Sequence, residues 1–149
     1  MASISFKNVV LLLLLFHITI ICDAISLKPH KALVWMRNDI SIDLGSSTNL
    51  TVDCKSKEDD LGFQYLAPTK GYGFTFRPRY WGWTLFFCRY EWPGSSHYFD
   101  IYDQERDQKK GNNFCWTVRQ NGPCRCKCSD NCTTFDQSLC FPWNEDPFN

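Results

Sequence analysis

The chain has 149 residues, of which 44% are hydrophobic, and this length suits one ordinary domain. Its 16 basic and 16 acidic side chains give a formal net charge of zero. The balance excludes proteins that bind nucleic acids or anionic membranes through a large bulk charge, so no nucleic-acid partner is expected.

The first 24 residues are predicted to be a cleavable signal peptide. Lys7 precedes an apolar run at residues 9–16, and the apolar character continues to Ile21 before the segment ends at Ala24. A signal anchor is the alternative, but residues 9–21 number only 13, whereas a membrane-spanning helix needs about 20. We therefore expect cleavage after Ala24, a secreted chain of residues 25–149, and no membrane insertion after cleavage.

The mature chain shows strand patterns in place of helical ones. Leu50, Val52 and Cys54 alternate with polar residues, a period of two that is typical of a half-buried strand. Turn formers and charges separate the other candidates. The predicted strands cover residues 33–40, 49–55, 63–66, 72–77, 81–92, 97–103 and 114–120. Seven short strands predict an all-β fold, a small antiparallel β-sandwich of about seven strands at residues 25–124.

Aromatic residues are frequent in the strand region. They could form a stacking platform for sugars or bases, but a compact β core uses large aromatics in the same way, and we expect most of them to be buried. Trp92 and Tyr80 stand beside turns and are the expected surface exceptions.

Cysteines dominate the end of the chain. Of nine in total, Cys22 lies in the signal peptide, and eight remain in the mature chain. An even number in a secreted chain predicts disulfides, although eight thiols allow 105 pairings. The eight are Cys54, Cys88, Cys115, Cys124, Cys126, Cys128, Cys132 and Cys140. Residues 125–149 form a cysteine-rich C-terminal extension with no clear strand period, and we expect disulfides to fix its inner part.

The sequence offers residues for three kinds of chemical site but favours none of them. The cysteines at 124–132 could hold a thiophilic metal, but oxidation competes for their thiols. The acidic turn at residues 58–60 could bind calcium, but it lacks the spacing of a calcium loop. His30 and His97, or a histidine with Asp100, could act as acid and base, but nothing in their spacing supports this. No cofactor and no metal are expected.

Two sequons offer sites for N-glycosylation. They are Asn49-Leu50-Thr51 and Asn131-Cys132-Thr133. Asn49 lies on the polar side of its strand, which suits an outward glycan, whereas a disulfide at Cys132 competes with modification of Asn131.

Several motifs occur in a fixed order along residues 33–124. They are CKSKEDDLG at 54–62, LFFC at 85–88, FDIYD at 99–103 followed by Arg106 and Asp107, and WTVRQNGPC at 116–124. In order and spacing the chain resembles the plant self-incompatibility S-protein homologue family. The resemblance implies a secreted, non-enzymatic β-sandwich of a family whose founding members are stigma-side ligands that trigger rejection of incompatible pollen.

The chain departs from the family pattern near its end. Family members usually have a cysteine shortly before a C-x-W element, whereas residues 111–114 contain none and Cys115 directly precedes Trp116. The extension after Cys124 is also atypical. It could supply the missing disulfide partner or build a separate surface.

The leading functional hypothesis is a monomeric ligand that presents surface loops to a cell-surface receptor. Loops vary without loss of the core, so recognition is expected there. The predicted receptor-binding residues are Thr69, Lys70, Arg79, Tyr80, Ser95, Ser96, Lys109 and Lys110. The alternative is a defence protein or enzyme inhibitor that acts through the C-terminal extension, and a hydrolase that uses His30 or His97 is a third possibility.

Overall fold

The computed structural model describes residues 6–24, 30–41 and 47–145. Helix α1 (Phe6–Ala24) lies within the predicted signal peptide, residues 1–24. Residues 1–5, and residues 25–29 after the predicted cleavage site, lie outside the described part. Among the described residues, no helix combines the length and apolar character needed to span a bilayer. Strands make up most of the remaining described structure, so the predicted all-β class is confirmed.

In the described part of the chain, nine strands form two sheets that pack face to face. One sheet has five strands in the order β4-β1-β7-β8-β9, and the other has four in the order β3-β2-β5-β6. All neighbouring strands are antiparallel except β1 and β7, which run parallel. The strands are β1 (Ala32–Asn38), β2 (Leu50–Lys55), β3 (Asp60–Leu66), β4 (Gly71–Phe76), β5 (Leu85–Trp92), β6 (Ser95–Asp103), β7 (Asn113–Arg119), β8 (Gly122–Cys126) and β9 (Phe135–Cys140).

The two strands beyond the predicted seven lie at the C-terminal side. Strand β8 returns from β7 through a tight turn at Asn121, with Arg119 opposite Gly122, and it crosses the predicted boundary at Cys124. Strand β9 lies in the extension that showed no strand period, and it pairs with β8 irregularly. Five of its six residues are exposed, so it lacks the alternation by which a strand is recognised in sequence.

Alternating side chains from both sheets fill the space between them. Val52, Cys54, Cys88 and Tyr90 point inward from the four-stranded sheet, and Trp116 is the largest fully buried side chain of the facing sheet. The expectation that most aromatics serve the core holds for the strands. Phe74, Phe76, Phe86, Tyr102 and Phe114 form a chain of ring contacts through the core.

The C-terminal extension closes one side of the sandwich. The Phe141 backbone N–H donates to the Pro123 carbonyl at 2.9 Å, and the Asn144 N–H donates to the Tyr98 carbonyl at 2.9 Å in the opposite sheet. Between them, Trp143 stacks on His97 with ring centroids 5.0 Å apart. The extension therefore joins both sheets.

A buried ion cluster connects the helix after β6 with β8. Helix α2 (Gln104–Asp107) places Asp107, which is fully buried, between the guanidinium groups of Arg106 and Arg125. Arg106 Nε donates to Asp107 Oδ1 at 2.9 Å, and Arg125 also donates to that oxygen. Both guanidinium groups lie over the Trp116 ring, at 5.2 and 4.1 Å from its centroid. The cluster thus fixes the β6–β7 connection to the core.

Candidate functional site at the upper end of the sandwich

The strand register sorts the loops into two opposite ends of the sandwich. The start of β1 and the end of β4 lie together because Ala32 is opposite Phe76, and we call this end the upper end. The short link from β3 to β4 places the end of β3 at the lower end. The upper end thus holds the β2–β3 turn (56–59), the β4–β5 loop (77–84) and the β6–β7 connection (104–112), and the lower end holds the turns at 67–70, 93–94 and 120–121.

The predicted receptor-binding residues do not form one surface. Four of them, Arg79, Tyr80, Lys109 and Lys110, lie at the upper end, and Thr69, Lys70, Ser95 and Ser96 lie at the lower end. The last two begin strand β6, because the turn before them contains only Pro93 and Gly94. A partner of ordinary size would contact one end or the other.

The β4–β5 loop, residues 77–84, displays exposed aromatic rings, and we call it the aromatic loop. Trp81 is 86% exposed, Trp83 is half exposed, and Tyr80 is exposed as predicted, with its ring against that of Trp81 at 5.3 Å. Gly82 has a positive φ of 105°, a conformation that separates the two tryptophans at little cost for glycine. Large exposed aromatics on one loop are typical of a recognition surface.

Hydrogen bonds hold the aromatic loop to the β6–β7 connection. The Arg79 backbone N–H donates to Thr84 Oγ1 at 2.8 Å, and the Thr84 N–H donates to Gln104 Oε1 at 3.0 Å. The Gln104 amide in turn donates to the Arg79 carbonyl at 3.0 Å. The ends of the loop are thereby fixed while its rings remain exposed, so less conformational entropy is lost when a partner binds.

A cleft of about 880 Å³ lies between the aromatic loop and the β2–β3 turn. Its apolar side is formed by Phe74, Phe76 and Phe86, and Trp83 lines it from the loop. An ion pair between Arg79 and Glu58 joins the two walls of the cleft, the aromatic loop and the β2–β3 turn. The charged side chains around the cleft are Lys57, Glu58, Asp59, Arg77 and Arg79. An apolar floor with a charged rim suits a protein or peptide partner.

The acidic turn in the cleft wall is held by its own hydrogen bonds. Ser56 Oγ accepts from the N–H groups of Glu58 at 3.2 Å and of Asp59 at 2.9 Å. Asp60 accepts from Lys55 Nζ at 3.0 Å and from the Gly62 N–H at 3.0 Å, and the hydrogen bond from Lys55 lowers the pKa of Asp60 below its ordinary value. With Glu58 paired to Arg79, these carboxylates bind separate cationic side chains, so the turn is not a convergent calcium site.

The two histidines are not brought together. His30 lies at the upper end in a second cleft of about 280 Å³, which Tyr80 and Tyr102 also line. His97 lies near the lower end of β6, packed between Trp92 and Trp143, and burial lowers its pKa. A mechanism that shares a proton between the two is excluded by this separation.

The eight cysteines of the predicted mature chain form four disulfides. Cys54–Cys88 joins β2 to β5 inside the four-stranded sheet. Two bridges, Cys115–Cys128 and Cys124–Cys140, attach the extension to the sandwich, and Cys126–Cys132 closes a loop within the extension. The extension therefore supplies the partner of Cys115, and these sulfurs are not available as thiolate ligands. In the described part of the chain, no three histidine, cysteine or acidic side chains form a metal-binding group.

Both sequon asparagines are exposed. Asn49 directly precedes β2, and Asn131 lies in the loop between β8 and β9, where its backbone is left-handed with φ 54°. Cys132, the middle residue of the second sequon, is buried in a disulfide. Glycosylation at either position stays a prediction.

Two residues at the site differ from the sequence-based assignment. The sequence predicts a strand from residue 81 that includes Trp81 and Trp83, because the run up to Trp92 is apolar on both parities, but β5 begins at Leu85. The pair of arginines around Pro78 and the glycine between the tryptophans were the available signals for a loop. Trp92, predicted to be exposed, is buried under Trp143.

Comparison with protein-family models gives one match. The model for plant self-incompatibility protein S1 matches residues 34–143, which include every strand from β2 to β9. No solved structure matches the chain significantly.

Comparison with curated proteins gives relatives from Arabidopsis thaliana. S-protein homolog 2 is 44% identical over 113 residues, which cover 72% of this chain and 67% of that protein. S-protein homolog 20 is 41% identical over 109 residues, with 72% and 75% covered. S-protein homolog 29 is 34% identical over 137 residues, with 91% and 94% covered.

Proposed function

The chain belongs to the plant self-incompatibility protein S1 family, and on that premise we propose that it is a secreted, non-enzymatic ligand that binds a cell-surface receptor through the upper end of its sandwich. The exposed tryptophans of the aromatic loop carry this proposal. Pollen–pistil recognition or another form of cell–cell signalling is the process that it would serve.

Several features support secretion and ligand function. The apolar helix α1 occupies the position of a signal peptide, and four disulfides suit the oxidising secretory pathway. A sandwich that is cross-linked by four disulfides holds its loops in one arrangement. Trp81 and Trp83 then offer the large, fixed apolar anchors on which protein interfaces depend.

Binding of the purified protein to plant cell-surface membranes tests this proposal. The double variant Trp81→Ala/Trp83→Ala should bind at least about tenfold more weakly, since a central tryptophan contributes about 2 kcal/mol or more to an interface. Lys70→Ala, an exposed change at the lower end, is the control and should bind like the unmodified protein. Equal binding by the tryptophan variant, or a loss confined to Lys70→Ala, would refute the assignment to the upper end.

A defence protein or enzyme inhibitor remains the second candidate, and one surface of the extension favours it. Phe135 and Leu139 line a groove of about 410 Å³ beside Lys127, and Leu139 is about half exposed. Deleting the extension is unsuitable as a test, because the deletion removes the disulfide partners of Cys115 and Cys124. Leu139→Ser keeps both bridges. Loss of microbial-growth or enzyme inhibition in this variant would support the second candidate.

A further inference from the structure

A row of alternating charges crosses the outer face of the four-stranded sheet. Lys55 Nζ lies 3.0 Å from Asp60 Oδ2 and 3.6 Å from Asp53 Oδ2. Arg89 continues the row, with guanidinium nitrogens 3.9 Å from Asp53 Oδ2 and 3.4 Å from Glu91 Oε1. Three acids and two bases thus largely neutralise one another, and we call this row the charge ladder.

Aromatic side chains flank the charge ladder on the same face. Phe63 is opposite Asp53 in the register, and Tyr65, two residues further along β3, is opposite Thr51. Phe63 is 52% exposed and Tyr65 is 79% exposed, and their positions on the strand are about 7 Å apart. The Arg89 guanidinium lies 5.7 Å from the centroid of the Phe63 ring. The face therefore combines two open aromatic rings with fixed polar groups.

The charge ladder has unused hydrogen-bonding capacity. Arg89 carries five N–H donors, and its contacts to Asp53 and Glu91 are ion pairs that do not meet hydrogen-bond geometry. Asp53 is 7% exposed at its side chain, and its Oδ1 has no hydrogen-bond donor within the described residues. Because that oxygen is buried, an external ligand would reach the charge ladder through the side chains of Arg89 and Glu91, which are 32% and 36% exposed.

The charge pattern indicates what kind of partner fits. A protein partner would bury the ladder's charges at the centre of its interface, where desolvation is costly and where interfaces are depleted of charge. The charge ladder has three acids and two bases, and its single excess negative charge would repel an anionic polymer. A neutral polyhydroxylated ligand provides both donors and acceptors to the ladder and apolar ring faces to the aromatic side chains.

We propose that the outer face of the four-stranded sheet binds a neutral polysaccharide chain. The sugar rings lie against Phe63 and Tyr65, and their hydroxyl groups bind Arg89 and Glu91. This surface is separate from the aromatic loop, so the protein could be retained on a neutral glycan while its upper end remains free.

Affinity electrophoresis in gels that contain soluble xyloglucan or mixed-linkage glucan tests the proposal, with polygalacturonate as the anionic comparison. The tested protein is expressed from the full chain and carries the substitution Asn49→Gln. A glycan on Asn49 would project from the same side of the strand as Thr51 and so from the proposed binding face. We expect retardation by a neutral glucan but not by polygalacturonate. No retardation by either neutral glucan, or retardation by polygalacturonate alone, would overturn the proposal.

Aromatic variants locate the site. Phe63→Ala/Tyr65→Ala should weaken the affinity about tenfold or more, because the two rings provide the apolar contacts to the sugar faces. Trp81→Ala is the matched control, because it removes another exposed aromatic ring, and its affinity for the glucan should equal that of the parent protein. If the proposed receptor surface is correct, the same variant should lose membrane binding. Unchanged glucan affinity in the double variant, with an unfolding midpoint near that of the parent protein, would exclude this face. A dimer that the double variant abolishes would assign the face to self-association and refute glycan binding.

Discussion

Removing the buried carboxylate of Asp107 should destabilise the protein more than any change to a surface ion pair. Asp107 accepts four hydrogen bonds, from two nitrogens of Arg106, one of Arg125 and the Asp103 N–H. In Asp107→Ala both guanidinium groups stay against Trp116 without a counter-charge. Breaking a buried ion pair in this way costs about 3–5 kcal/mol, a large part of the stability of a small domain.

Urea unfolding followed by tryptophan fluorescence measures this loss. With an m value of about 2 kcal/mol per molar urea, a loss of about 4 kcal/mol lowers the midpoint by about 2 M. Asp107→Asn keeps the size of the side chain and should fall between the parent and Asp107→Ala, which retains a readout if the alanine variant does not fold. Glu58→Ala, which breaks the exposed pair with Arg79, should leave the midpoint nearly unchanged. A loss below about 1 kcal/mol in Asp107→Ala would refute the argument that this cluster stabilises the fold.

Two further predictions concern the C-terminal closure. Gly122→Ala should lower the thermal midpoint strongly, because the φ of Gly122 is +127° and an added Cβ would lie 2.0 Å from a backbone carbonyl oxygen of the extension. The control is Gly94→Ala, which should cost only about 1–2 kcal/mol of stability, because Gly94 has φ +80° but no atom within 4 Å of the added Cβ. Equal effects of the two substitutions would refute the close approach at Gly122. The pKa of His97 is lowered from 6.5 by burial, so folding favours its neutral form, and stability should fall as the pH drops below about 6.5. Thermal unfolding from pH 7.5 to 5 should show a smaller decline in His97→Gln, and an identical decline would contradict this origin.

Local alternation was sufficient to predict the strands that face the core on one side only. Leu50, Val52 and Cys54 point inward as expected, and Cys54 reaches Cys88 directly opposite in the register. The sequence could not predict the burial of Trp92, because its cover is Trp143 from the far end of the chain. Burial that depends on such a distant contact leaves no periodic pattern near the residue itself.

The upper-end site was only partly predictable for a related reason. Exposure of Tyr80 follows from its neighbours Arg79 and Pro78, which favour a loop. Which loops share an end depends on the order and direction of the strands, and Ser95 was grouped with Tyr80 although the register places them at opposite ends. The charge ladder was missed because its members come from three strands, and none of the separate segments shows that they meet.

The motifs that carry the family resemblance serve mainly to build the scaffold. Asp103 Oδ1 accepts from the N–H groups of Glu105 at 2.8 Å and Arg106 at 3.4 Å and so begins helix α2, which places Asp107 in its buried cluster. Asp60 holds the turn of Gly62. These contacts fix turns and the buried cluster of the scaffold, and none of them involves an exposed ring of the aromatic loop. The resemblance therefore predicts the fold more strongly than it predicts the identity of a partner. Partner recognition depends on exposed residues such as Trp81, which contribute little to folding.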